Sequence, residues 1–276
     1  MTPPTYSRLV IFRKANDEIV VGHLSRFGPL GFVEEGMDLV ACFRRAEDAR
    51  AAAASLKERG IRWDLAADVA EGDPLQAFRA ASRPFPVGAR LWLDPGDPSD
   101  SAPPSGRVAL RIPASRAFGT GGHESTRLAL VALEEELTGG ESVLDVGTGS
   151  GVLALAAAAL GASEAFGYDT DFDAVLVARE NVRRHSFGKL VRLAAAEASA
   201  VGGRFGIVVA NLLPEEFFGI RAEVLPRVAA GGKLILSGIP LDREAEVVAS
   251  VRSRKFTLAG RRIENDWTSV CLRRAS

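Results

Sequence analysis

Lysine is scarce in this chain: of its 34 basic residues only five are lysine and the rest are arginine. The net charge is −1, so no electrostatic argument calls for direct nucleic-acid binding. Cysteine is scarcer still. Cys42 and Cys271 stand far apart and make neither a disulfide framework nor a thiolate metal site, and three histidines are no sign of a metal centre. No apolar run reaches the ~20 residues that cross a bilayer, and the best candidate, residues 152–162, is too short. The opening MTPPTYSRLV lacks the charged-then-apolar plan of a signal peptide. Together these absences set the expectation of a cytoplasmic protein, monomeric, away from membranes and without metal. What is present is ordinary for a globular enzyme: 276 residues, 47% hydrophobic and 25% charged, enough for one or two domains.

The most informative stretch is VLDVGTGSG, residues 143–151. Val143, Leu144 and Val146 read as a buried strand that carries Asp145 near its carboxyl end. Gly147, Gly149 and Gly151 follow at alternate positions, and VLALAAAAL then reads as a helix with small residues able to lie close on a sheet. Such a strand, turn and helix put backbone N–H groups beside a cavity where only hydrogen side chains let a ligand approach. The dinucleotide fingerprint is G-x-G-x-x-G, with a pyrophosphate at the helix N-terminus. Here the spacing is G-x-G-x-G, and Asp145 aimed into the turn would repel phosphate but suit a cation. S-adenosylmethionine, with its sulfonium and ammonium groups, fits that preference. A second apolar strand ends in Tyr168-Asp169, where the acid can take both ribose hydroxyls. Two other readings remain open here: a dinucleotide site, and a plain tight turn with Asp145 capping the helix.

The first 70 residues read as a small unit with ten acidic and ten basic residues. Strands over residues 8–13, 31–35, 38–43 and 61–69 flank a helix over residues 46–59, and a poorly patterned segment follows the first strand. The order β-α-β-β-α-β suggests a ferredoxin-like α+β domain for docking, without catalytic features. Residues 71–108, with a helix over 73–83 and the turn-rich DPGDPSDSAPPSG, read as a linker with some strand pairing. AFGTGGHEST follows, where Gly119, Gly121 and Gly122 again suggest backbone wrapped round a ligand. Phe118 is the expected lid, Thr120 and His123 belong to the same loop, Ser125 is a candidate cap, and Thr126 is placed to face the ligand. From 109 to 276, strands and helices alternate: an α/β, doubly wound, mostly parallel sheet, with two adjacent closing strands as an antiparallel edge. One strand, GIVVAN, is wholly apolar and therefore central, and it ends at Asn211.

AFGTGGHESTRLAL, VLDVGTGSGVLALAA, GYDTD and VVANLL occur in an order and spacing that resemble the PrmA family, methyltransferases of the large-subunit stalk-base protein of the ribosome. The resemblance runs from about Asp73 to the C-terminus. It implies a class I S-adenosylmethionine-dependent methyltransferase fold, S-adenosylmethionine as cofactor, and S-adenosylhomocysteine as its product. It also implies lysine and N-terminal amines of a ribosomal protein as acceptors, with the first domain recognising that substrate. Carried over by position, cofactor contacts fall on Thr126, Gly147, Asp169 and Asn211, with the AFGTGG loop over the ligand. Beside these, the residues themselves assign Asp145 and the turn glycines, Gly149 and Gly151 included, to the methionine end and Asn211 to the acceptor amine. The family's Pro-Gly-apolar triplet is replaced by Ala114-Ser115-Arg116, and Phe78 stands where linker tryptophans are usual. The rival functions are the same chemistry on another protein or small amine, an NAD-dependent oxidoreductase, and a non-enzymatic binding module.

Overall fold

The computed structural model describes residues 5–12, 17–29, 31–35, 38–57, 59, 61–70, 83–96, 102–113, 121–252 and 255–276. Residues 73–82 of the expected helix, the Ala114-Ser115-Arg116 triplet, Phe118, Gly119 and Thr120 lie outside the described residues. The chain divides into two compact units, Met1–Ser82 with Ala114–Arg116, and Arg83–Pro113 with Ala117–Ser276.

The first unit runs β1 (Thr5–Phe12), α1 (Asp17–Ser25), β2 (Gly31–Glu35), β3 (Asp38–Phe43), α2 (Ala46–Lys57) and β4 (Trp63–Ala70). Its sheet order is β2-β3-β1-β4 with every neighbouring pair antiparallel, the split βαβ of a ferredoxin-like domain. Ala49, Ala52, Ala53 and Leu56 recur at helical spacing along α2 and bury against Leu9, Ile11 and Phe43 of the sheet. The poorly patterned segment is α1. Its sequence, DEIVVGHLS, holds β-branched residues and a glycine, all weak helix formers, so tertiary packing of Val20 and Leu24 decides its structure.

The second unit begins with a small sheet of β5 (Phe85–Val87), β6 (Leu91–Asp94) and β7 (Val108–Arg111). β6 pairs antiparallel with β5 and parallel with β7. The expected linker with some strand pairing is thus a three-stranded sheet, and strands of three or four residues beside proline-rich turns are too short for their burial to be read from period. Val87, Leu91, Leu93, Leu110 and Ile112 nevertheless join the main core of this unit. The Glu134 carboxylate accepts the Ala89 and Arg90 N–H groups at 3.0 and 2.7 Å, which pins the β5–β6 turn.

The main elements follow: α3 (Glu124–Glu136), β8 (Ser142–Val146), α4 (Val152–Leu160), β9 (Glu164–Asp169), α5 (Phe172–Arg183), β10 (Val191–Ala195), β11 (Phe205–Asn211), α6 (Pro214–Val224), β12 (Val228–Pro240), α7 (Glu244–Val251), β13 (Phe256–Glu264) and β14 (Trp267–Arg274). The sheet order is β10-β9-β8-β11-β12-β14-β13. The first five strands are parallel, while β14 is antiparallel to both its neighbours. This is the doubly wound sheet with an antiparallel edge that defines the class I methyltransferase fold. Wholly apolar strands belong inside such a sheet because both faces are covered. Ile207 and Val209 of β11 enter the core beside α3 and α4, whereas Val208 and Ala210 enter the core beside α6 and α7. Eight of the nine residues of α4 are buried, and its alanines let it lie close on the sheet. Among the described residues, no helix is long and apolar enough to cross a membrane.

Candidate functional site

The strand order reverses between β8 and β11: β9 and β10 extend the sheet on one side, β12 on the other. Ligands of open α/β sheets sit at such a switch point, beyond the carboxyl ends of the strands. Strand register sets the residues there. Val146 pairs with Ala210 on one side and Tyr168 on the other, and Asn211 pairs with Ser237. Gly147, Asp169, Asn211 and Ser237 therefore leave the sheet on one rim.

The turn after β8 is left-handed at each glycine, with φ of 68° at Gly147, 51° at Gly149 and 81° at Gly151. An L-residue pays roughly 1–2 kcal/mol in that conformation, which explains the alternating glycines before any ligand is considered. At Gly147 the left-handed φ of 68° favours glycine from within the protein, and a side-chain tip stands close by. A Cβ there would lie 2.6 Å from Leu212 Cδ2. Close approach by a ligand is thus a second reason for glycine at this position, not the first.

Asp145 is fully buried beneath the turn. Its Oδ2 accepts the Thr148 hydroxyl at 2.7 Å and the Ala154 N–H in the first turn of α4 at 3.1 Å. The other oxygen, Oδ1, is buried and has no hydrogen-bond partner among the described residues. One oxygen thus does the helix capping and the other is left bare. Burial pushes the carboxyl up to about 7, with a further push from the charge on Asp169, against the pull of the Thr148 and Ala154 bonds. At the end of β9, Asp169 accepts the Gly149 N–H at 2.9 Å through Oδ2 and the Asp171 N–H at 3.0 Å through Oδ1. Each oxygen keeps a lone pair for a further donor.

On the other side of the switch point, α3 starts at a histidine cap. His123 Nδ1 accepts the Ser125 N–H at 3.2 Å, so His123 holds the position that Ser125 was expected to hold. Ser125 and Thr126 are fully buried. The Ser125 carbonyl accepts the Ser237 hydroxyl at 2.7 Å, and Thr126 Oγ1 accepts Asn211 Nδ2 at 3.2 Å. Asn211 Oδ1 is buried with no partner among the described residues. Beyond it α6 starts at once, because Pro214 suits the first helical position and Glu216 reaches back to the Leu213 N–H at 3.0 Å.

Thr126, Asp145, Gly147, Gly149, Gly151, Asp169 and Asn211 thus gather at one switch point, and His123 sits one step back as a cap. Phe118, Gly119 and Thr120 lie outside the described residues. Sequence reasoning missed Ser237 and Trp267, whose ring meets that of His123 edge-on at 5.1 Å between centroids. Neither stands in a motif; only the register of β11 with β12 and the return of the β13–β14 hairpin bring them in. Among the described residues, no group of three or more His, Cys, Asp or Glu is placed to hold a metal.

A family model described as ribosomal protein L11 methyltransferase (PrmA) matches residues 23–275. A ribosomal protein L11 methyltransferase of Geobacter metallireducens is 41% identical over 200 residues, covering 72% of this chain and 66% of that protein. Its counterpart in Geobacter sulfurreducens is 43% identical over 191 residues, covering 69% and 62%. The chain therefore spans just under two thirds of the length of these relatives. A crystal structure of a ribosomal protein L11 methylase from Lactobacillus delbrueckii subsp. bulgaricus is similar with a TM-score of 0.63 at 24% identity, over 71% of this chain and 99% of that one. That likeness speaks for the fold.

Proposed function

The chain belongs to the ribosomal protein L11 methyltransferase (PrmA) family, and we propose that it transfers methyl groups from S-adenosylmethionine to amine nitrogens of ribosomal protein L11. Lysine side chains and the N-terminal amine of that stalk-base protein are the acceptors in this reading, the first unit recognises it, and the enzyme works as a monomer in the cytoplasm. The observation that carries the reading is the buried, unpartnered Asn211 Oδ1 on the same rim as the glycine turn.

The residues present fit the cofactor. Asp145 Oδ1 is a bare buried acceptor under the turn, suited to an ammonium or sulfonium cation. Asp169 offers lone pairs to ribose hydroxyls, and Thr126 with the turn backbone completes the wall. When bound, the cofactor supplies a methyl carbon already activated by its sulfonium.

For the acceptor, the chain must supply alignment and a neutral amine. A lysine of pKa ~10.4 costs on the order of 4–5 kcal/mol to neutralise at pH 7. Burial beside Leu212 and Leu213 lowers that cost by disfavouring the charged form. Asn211 Oδ1 accepts one amine N–H and so aims the nitrogen lone pair away from itself. The Thr126 hydroxyl accepts from Nδ2, which leaves Oδ1 as the amide edge open to the acceptor. An amide cannot take the proton, so water carries it off. Replacing Asn211 with Ala is expected to lower turnover on L11 by about 10²-fold, with cofactor affinity changed far less. Turnover by stopped assay and affinity by calorimetry check this, and an unchanged rate removes Asn211 from the mechanism.

A further inference from the structure

Leu212 lies between two left-handed glycines, with its side-chain tip against one and its main chain against the other. Its side chain meets the cofactor turn, where a Cβ on Gly147 would lie 2.6 Å from Leu212 Cδ2. Its main chain meets β12, where a Cβ on Gly238 (φ 76°) would lie 2.7 Å from the Leu212 oxygen and 3.0 Å from its carbonyl carbon and nitrogen. The Leu212 N–H donates to the Ser237 carbonyl at 3.2 Å. Gly238 stands where β12 slips register against β14, between Leu236 and Ile239, so the strand is deformed just where it receives this peptide. The residue before Leu212 is Asn211, tied to α3 through Thr126.

Building on the methyl-transfer reading, we propose that Leu212 is a positioning residue that couples the cofactor turn to the acceptor-binding amide. The side chain bears on the turn and the peptide is locked into β12, so a shift of the turn is passed to Asn211, and a shift of Asn211 back to the turn. Two loops from different strands thereby act as one rigid part. Asn211 Oδ1 is held at one height above the turn, which in-line transfer requires of any group that orients the acceptor.

The two glycines provide their own control. Ala at either position carries the same left-handed strain, worth about tenfold in an equilibrium. At Gly147 the added methyl also collides with the Leu212 side chain, whereas at Gly238 it collides with the Leu212 main chain. Affinity for S-adenosylhomocysteine, measured by calorimetry, is compared for Gly147→Ala and Gly238→Ala, each with and without Leu212→Ala. Leu212→Ala is expected to recover roughly three- to tenfold of the affinity lost in Gly147→Ala and also most of that lost in Gly238→Ala, because the Leu212 side chain is the proposed route from β12 to the turn. Absence of recovery at either site overturns the proposal, because a purely local contact gives recovery at Gly147 alone. Failure of the unaltered protein to bind S-adenosylhomocysteine would instead overturn the cofactor reading, and the coupling with it.

Should Gly147→Ala not fold, Leu212→Ala alone decides. Its turnover on L11 is expected to fall on the order of 10²-fold while S-adenosylhomocysteine affinity stays within about threefold, and Leu212→Met is expected to restore most of the rate. A rate that does not fall, or that falls only in step with affinity, overturns the proposal.

Discussion

Two side chains at the switch point each keep one polar atom engaged and one bare, and the chemistry rests on the bare ones. Asn211 spends its amide nitrogen on Thr126, and Asp145 spends Oδ2 on the turn and on α4. Asp145 has a pH signature. Its carboxyl sits near 7 in the folded chain against an ordinary value of 3.8. A raised acid favours the folded state while it is protonated, so its stability contribution is complete below about 3.8 and is lost as pH rises through about 7. Cofactor binding runs the other way, since a cation needs the ionised form. Affinity for S-adenosylmethionine should climb as pH rises to about 7 and level off above it. Asp145→Asn should flatten that profile and raise the melting temperature at pH ~8, where the buried charge is otherwise present. Calorimetry across pH and thermal scans check both. An unchanged profile in the variant would move the cation's partner elsewhere.

At the scale of elements, the start of α3 is set by a hairpin far away in sequence. Arg127 donates to Glu264 Oε1 from Nε at 3.0 Å and from Nη2 at 2.5 Å, and also donates to the Gly122 carbonyl. Asn265, left-handed at φ 51°, turns the β13–β14 hairpin and donates to Glu124 at 3.2 Å. Trp267, nearly buried, meets the His123 cap. Trp267→Ala is expected to cost about 3–5 kcal/mol and to loosen the first turn of α3, with Trp267→Phe milder. Thermal unfolding and amide exchange at Ser125 and Thr126 are the measurements, and full protection in the Ala variant would deny the hairpin this role. A second clasp joins β7 to α5. His185 Nε2 accepts the Arg111 N–H at 3.0 Å and Nδ1 donates to the Asn181 carbonyl at 2.8 Å, so the ring is neutral. Burial lowers its pKa, and the facing charges of Arg111 and Arg184 add to this. The clasp is therefore intact above 6.5 and lost as pH falls below that value through the lowered folded one. The protection factor of the Arg111 amide should drop over that interval, and His185→Gln should abolish the pH dependence.

Legibility followed the same scales. The strands of the doubly wound sheet were readable because apolar runs such as GIVVAN persist over five or more residues, and the turn glycines because three left-handed positions alternate. The His123 cap escaped because serine and threonine cap more often by type, and which one sits at the start depends on where the chain leaves the loop. The short strands between residues 91 and 110 were legible as strand pairing, but their membership of the main core was not, because three- and four-residue strands show too short a period. Gly238 and Trp267 escaped because their partners lie 26 residues or more away in sequence, and only strand register brings them together.

For the molecule as a whole, an α+β unit precedes a methyltransferase-fold unit whose rim collects Asp145, Asp169 and Asn211 near neighbouring strand ends, the groups proposed to meet cofactor and amine. The most direct test is the intact mass of purified L11 after incubation with this protein and S-adenosylmethionine, followed by peptide mapping. The account predicts mass gains in whole methyl increments, mapped to lysine side chains and the N-terminal amine and much reduced with Asn211→Ala. An unchanged mass, or methyl groups found only on atoms other than amine nitrogen, would contradict it.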